Sequence, residues 1–125
     1  MTDLQKIQTI EKQLGIKLNK VEYHELKTKN IFYTVDEKQY SKDYVESDAF
    51  PYKGTTNYST DEKENITGLS LDFCKLNLLS DPRIILFDNV KFLSLKKSQL
   101  KDYSFLKELK SLTSLDLRNN KISDF

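Results

Sequence analysis

Between residues 66 and 122 the apolar positions of this chain follow one phrase three times over. Ile66-x-x-Leu69-x-Leu71 runs on to Cys74 and Leu76, and Val90-x-x-Leu93-x-Leu95 runs on to Ser98 and Leu100. Leu112-x-x-Leu115-x-Leu117 runs on to Asn120 and Ile122. The steps from Leu69 to Leu93 and from Leu93 to Leu115 are 24 and 22 residues. Leucines separated by one residue share a side of an extended strand, so each copy predicts a short strand with two leucines in a core. Cys74, Ser98 and Asn120 then turn inward where the chain leaves the strand, and supply donors to backbone carbonyls that the turn leaves unpaired. One such coil cannot bury its own leucines. Stacked neighbours can, with their strands forming a parallel sheet along one face.

The pattern upstream is different. Leu4, Ile7, Ile10 and Leu14 recur at helical spacing, Thr2 and Gln5 have the spacing of a reciprocal cap, and Gly15 supplies a stop. Val21 and Tyr23 alternate briefly, and Ile31 to Val35 reads as a strand whose antiparallel partner would be the run from Ile66 to Leu71. The connection between them, Asp36 to Glu64, holds four of the seven tyrosines and eight acidic against four basic residues. A short helical turn through Tyr40 and Tyr44 is compatible with their spacing. After the first phrase, Asp81-Pro82 predicts a cap with proline in the first helical position, turning Ile84, Ile85 and Phe87 inward. Asp102 or Ser104 plays the same part before Phe105, Leu106 and Leu109, and a third connecting segment begins at Asp124. The chain therefore divides at residue 65 into a cap (1–65) and repeats at about 66–89, 90–111 and an incomplete 112–125.

Composition narrows the function classes. A 38% hydrophobic and 31% charged chain suits a thin stack with much surface, and a net charge of +1 gives no reason to expect nucleic acid or an anionic membrane. No apolar run approaches the ~18 residues of a membrane span, and the start lacks the apolar stretch of a signal peptide. A cytoplasmic location is the expectation. One cysteine allows no internal disulfide. Gly15, Gly54 and Gly68 do not form a phosphate-binding loop, and one Cys with one His supplies no zinc site. Cys74 with His24 is a conceivable nucleophile and base, but Cys74 sits at the inward-turning position, where a structural role is favoured. No enzyme activity, cofactor or metal is expected.

The phrase resembles that of leucine-rich repeat proteins, and its spacing is similar to the short 22-residue class found in bacteria. The capped helix ending in Gly-Ile-x-Leu, the strand after it and Asn65-Ile66-Thr67-Gly68-Leu69-Ser70-Leu71 resemble the N-terminal cap of such proteins, some of which, the Roco type, carry a Ras-like GTPase further downstream. The resemblance implies an α/β solenoid with a short parallel sheet on its concave face, short helices on its convex face and a helix-and-hairpin cap. It also implies protein binding on the concave face. That face would be built from Gly68, Ser70, Asp72 and Phe73, then Phe92, Ser94, Lys96 and Lys97, then Ser114, Asp116, Arg118 and Asn119, with Phe92, Asp116 and Arg118 near its centre. The expected partner is a protein, and the third coil, without a polar cap, invites self-association. Two alternatives stand beside this reading. The acidic segment 36–64 is itself a candidate recognition element, and the chain is a candidate regulatory part of a larger enzyme such as a Roco-type GTPase.

Overall fold

The structure is a computed structural model that describes residues 1–28, 32–35, 38–41, 56–118 and 120. It opens with helix α1 (Asp3–Leu14). Its start is closed by Thr2, whose side chain accepts from the Gln5 amide while the Gln5 side chain accepts from Thr2, and it ends on Gly15 at φ 64°. The left-handed conformation there costs glycine no side-chain clash.

Strand β1 (Asn19–Lys20) follows, and then helix α2 (Tyr23–Thr28), where the brief alternation of Val21 and Tyr23 had suggested extended chain. Strands β2 (Phe32–Val35) and β3 (Lys38–Ser41) pair antiparallel with each other in a two-stranded sheet. Tyr40 thus lies on a strand rather than a helical turn, and Tyr44 falls outside the described residues.

The main sheet has the order β1-β4-β5-β6-β7, with β4 (Thr56–Thr60), β5 (Ile66–Leu71), β6 (Phe92–Ser94) and β7 (Ser114–Asp116). The antiparallel partner of β5 is β4, not the run at residues 31–35. The reason is local. Thr56, Tyr58 and Thr60 suit a strand, and only the turn 61–65 separates them from β5. Asp61 fixes that turn by accepting from the amides of Lys63 (2.9 Å) and Asn65 (3.0 Å). Closing a short loop costs less entropy than closing one of some thirty residues, roughly 1.5RT times the logarithm of the length ratio.

From β5 onward the sheet is parallel and each strand is one coil further along. Leu69 pairs with Leu93 and Leu93 with Leu115, while Gly68, Phe92 and Ser114 form one neighbouring column and Ser70, Ser94 and Asp116 the other. The pairing register equals the sequence spacing of the three phrases. Leu69, Leu71, Leu93 and Leu95 are fully buried, together with Ile66, Leu76, Ile85, Phe87 and Val90. Single 3-10 turns, Pro82–Ile85 and Ser104–Glu108, cross the opposite side of the stack, with Asp81 accepting from the Arg83 amide and Asp102 from the Ser104 amide. Ile85 and Leu106 point inward from them.

Helix α1 seals the first coil. Ile7 and Ile10 belong to its core cluster. Four polar ties fix the helix in place: Ile66 donates to Asp3 (2.8 Å), Ser80 to Gln13 (3.0 Å), Leu18 to Glu11 (2.8 Å), and Lys6 to the Leu86 carbonyl. The Lys6 ammonium also lies 4.4 Å from the centre of the Phe87 ring.

Candidate functional site

The sheet face opposite the leucine column carries an alternating line of charges. Asp72, Lys96, Asp116 and Arg118 come from three successive coils, and their formal charges sum to zero. Asp72 accepts from the Ser94 hydroxyl (2.6 Å), from the Lys96 amide (3.0 Å) and from the Ser70 hydroxyl (3.3 Å). The Lys96 ammonium lies 3.8 Å from Asp72 and 3.9 Å from Asp116. Arg118 completes the line, its Nε donating to both Asp116 oxygens (2.9 and 3.1 Å), its Nη2 to Oδ2 and its backbone amide to Oδ1 (3.1 Å).

These charges are not on an open surface. Asp72 and Lys96 are fully buried, and Ser70, Ser94 and Phe92 are buried with them, where the sequence suggested exposed side chains. Helix α2 lies on the face of the first coil, its Leu26 buried, and Gly68 makes this approach possible. A Cβ on Gly68 would stand 2.5 Å from Leu26 Cδ1 and 2.7 Å from Ser59 Oγ. The pairing offsets the cost of this burial, since a buried charge is tolerable only with a partner. Burial pushes the Lys96 ammonium below the usual lysine range, and Asp116 opposes that shift.

Toward the third coil the face opens. Ser114, Asp116 and Arg118 are half-buried there; on the other side of the sheet Leu115 is 37% exposed although its column partners Leu69 and Leu93 are at 0%. A hollow of about 370 Å³ lies among Phe92, Ser114, Leu115, Asp116, Leu117 and Arg118. Phe73 and Lys97 occupy equivalent places where the chain leaves β5 and β6, both half-buried and both at positive φ (63° and 52°). Asn119 lies outside the described residues. The structure thus brings Asp72, Ser94, Lys96, Asp116 and Arg118 into one bonded line. Phe73 and Lys97 sit apart from it at the turns.

Behind the sheet, the inward-turning positions do what their chemistry allows. Asn120 donates to the carbonyls of Leu95 (2.7 Å) and Leu117 (2.9 Å), and accepts from the Ser98 amide (2.8 Å) and the Tyr103 hydroxyl (2.7 Å). Tyr103 was not singled out from the sequence. Its hydroxyl also lies 2.9 Å from Ser98 Oγ, and a tyrosine in a slot that the first coil fills with Leu79 was the available signal. Cys74 is buried, and desolvation, with Asp72 adding to it, pushes its thiol up to about 12. Such a thiol is the reverse of an activated nucleophile.

Among the described residues no group of three or more His, Cys, Asp or Glu side chains is placed to hold a metal ion. No helix there is long and apolar enough to cross a membrane.

Residues 88–125 match the family model described as leucine rich repeats in two copies. A search of curated proteins and a search of solved structures find no match. Taken with the coil register, the fold is an α/β solenoid of the leucine-rich-repeat type with an N-terminal cap.

Proposed function

We propose, from a leucine-rich-repeat segment at residues 88–125, that this chain is a non-catalytic module that binds a protein partner on the concave face of its sheet. Stacks of this type generally serve as interaction scaffolds, and their concave surfaces are the extended part. The observation that carries the reading is the line Asp72–Lys96–Asp116–Arg118. Its first two members are buried and hold their neighbours in place, while Asp116 and Arg118 stand half-buried at the accessible end around a hollow that Phe92 also lines. A carboxylate and a guanidinium fixed near an aromatic ring form the mixture that interface centres use. Ser114 belongs to this contact zone directly, with Phe73 and Lys97 along its turn side, and Asn119 is proposed with them from its place in the sequence. Ser70, Asp72, Phe92, Ser94 and Lys96 serve it from beneath.

Affinity capture with the wild-type chain, with Arg118→Glu and with Leu78→Ala tests the reading. Leu78 is 58% exposed on the far side of the stack and serves as the control. Partners lost with Arg118→Glu and kept with Leu78→Ala support the concave face; partners kept with both contradict it.

A cytoplasmic location and self-association through the third coil belong to the same proposal. The narrower kinship with bacterial Roco-type proteins, and with it a role as the regulatory part of a GTPase, is the alternative. A phosphate-binding loop encoded downstream of residue 125 in the same reading frame would favour it.

A further inference from the structure

The phrases are spaced 24 and then 22 residues apart, and the two additional residues of the first coil fall in one place. From Leu69 to Leu76 and from Leu93 to Leu100 is seven positions, and from Pro82 to Leu93 and from Ser104 to Leu115 is eleven. The difference lies between them, with six positions from Leu76 to Pro82 against four from Leu100 to Ser104. In the first coil that stretch forms an extra 3-10 turn, Leu76–Leu78, ahead of the turn at Pro82–Ile85, whereas the second coil goes directly to Ser104–Glu108. The extra turn has no counterpart to stack on, and a hollow of about 440 Å³ opens beside it between the two coils. Insertions in a repeat often fall on a binding face.

The apolar lining of this hollow is Leu76, Leu79 and Pro82 from the first coil and Leu100 and Phe105 from the second. Its walls are fixed. Asp81 caps the turn that Pro82 opens, accepting from the Arg83 amide (3.0 Å), and the Leu100 amide donates to the Tyr103 hydroxyl (3.2 Å). Three charged side chains also line it, and two are committed. Arg83 donates to Glu108 (2.6 Å), and Asp102 accepts from the amide and the hydroxyl of Ser104 (2.9 Å each). The third, Lys101, is exposed and has no such partner among the described residues. A preformed apolar recess of this size with one convergent charge has the make-up of a small-molecule site. We propose that the hollow binds a small organic anion, its hydrocarbon body against Leu79, Leu100 and Phe105 and its anionic head beside the Lys101 ammonium. The sign of the head follows from the charges: a cation would meet Arg83 and Lys101, against one carboxylate already accepting two bonds. The hollow lies among the convex turns of two complete coils, so it is independent of partner binding on the concave face.

Amide chemical shifts of the whole chain, titrated with octanoate and in parallel with octanol as its neutral counterpart, test the proposal. Octanoate is expected to bind saturably, with the largest shifts at Leu76, Leu79, Leu100 and Phe105. Lys101→Glu should weaken octanoate by roughly 2- to 10-fold and leave octanol unchanged. Lys12→Glu makes an equal change of net charge at an exposed position of α1 and should leave both as in the wild type. Shifts that do not saturate, or that centre elsewhere, overturn the proposal. So does an octanoate affinity that Lys101→Glu leaves intact, that Lys12→Glu lowers as much, or that falls together with the affinity for octanol.

Discussion

At the turn out of the third strand, Asn120 directs both amide hydrogens at carbonyls of two different coils, while its oxygen accepts from Ser98 and Tyr103. Replacing it with alanine leaves those groups unpaired beneath the sheet. Each unsatisfied buried group costs about 1–3 kcal/mol, so Asn120→Ala should lower stability by at least that amount in urea titrations. Cys74, at the equivalent place in the first coil, offers a proton-linkage test. Its thiol is held up to about 12 in the fold against 9.0 ordinarily, so the folded chain binds that proton more tightly than the unfolded one. The stability this contributes is complete below pH 9.0 and is lost as pH rises toward about 12. Burial lowers the Lys96 ammonium and works in the other direction at alkaline pH. The stability difference between wild type and Cys74→Ala should therefore shift in favour of the alanine variant above pH 9.0. Phosphate-buffered iodoacetamide should label Cys74 only as fast as the chain opens. The inward turn of Cys74, Ser98 and Asn120 was legible in the sequence, because a tight turn with unpaired carbonyls needs a small polar side chain at that offset. Tyr103 was not legible, because its hydroxyl matters only through residues that the fold brings to it.

Among the elements, helix α2 changes the reading most. No local signal announces six residues seated over Gly68, since the reason for that glycine is a contact with Leu26, forty-two positions earlier. Its own φ is not in the left-handed region, so conformational demand leaves no trace either. Gly68→Val must move Leu26 and Ser59, and overpacking of this kind costs about 1–3 kcal/mol. Hydrogen exchange should show α2 amides losing protection in that variant while those of β6 keep theirs. Equal protection of α2 in both proteins would mean that the helix does not depend on the glycine. Strand β4 was also missed, because a long connection was read as one unit although its last residues have strand composition and a fixed turn after them. By contrast α1 was legible to the residue, since its cap, apolar face and glycine stop are all local signals. The leucine strands were legible for a different reason: three copies at two near-equal spacings fix their register without any tertiary information.

For the whole molecule, the stack makes burial depend on position along it. Leu93 has a coil on either side, whereas Leu115 has a described coil on one side only. Leu93→Ala should cost about 2–5 kcal/mol and Leu115→Ala well under half of that, because a half-exposed site leaves little cavity. That the charged residues share one face was legible from strand alternation, but their depth was not. The sequence places Asp72, Lys96, Asp116 and Arg118 on one face, while the burial of the first two is a matter of tertiary packing that strand alternation does not carry. Cross-strand proton contacts by NMR test the central claim most directly, namely that residues 66–118 wind into coils whose strands lie parallel at the spacing of the phrases. The account predicts Hα-to-amide contacts of parallel strands linking Leu69 with the Leu93 region and Leu93 with the Leu115 region. Their absence, or the close Hα–Hα contacts of antiparallel strands at those positions, would contradict it.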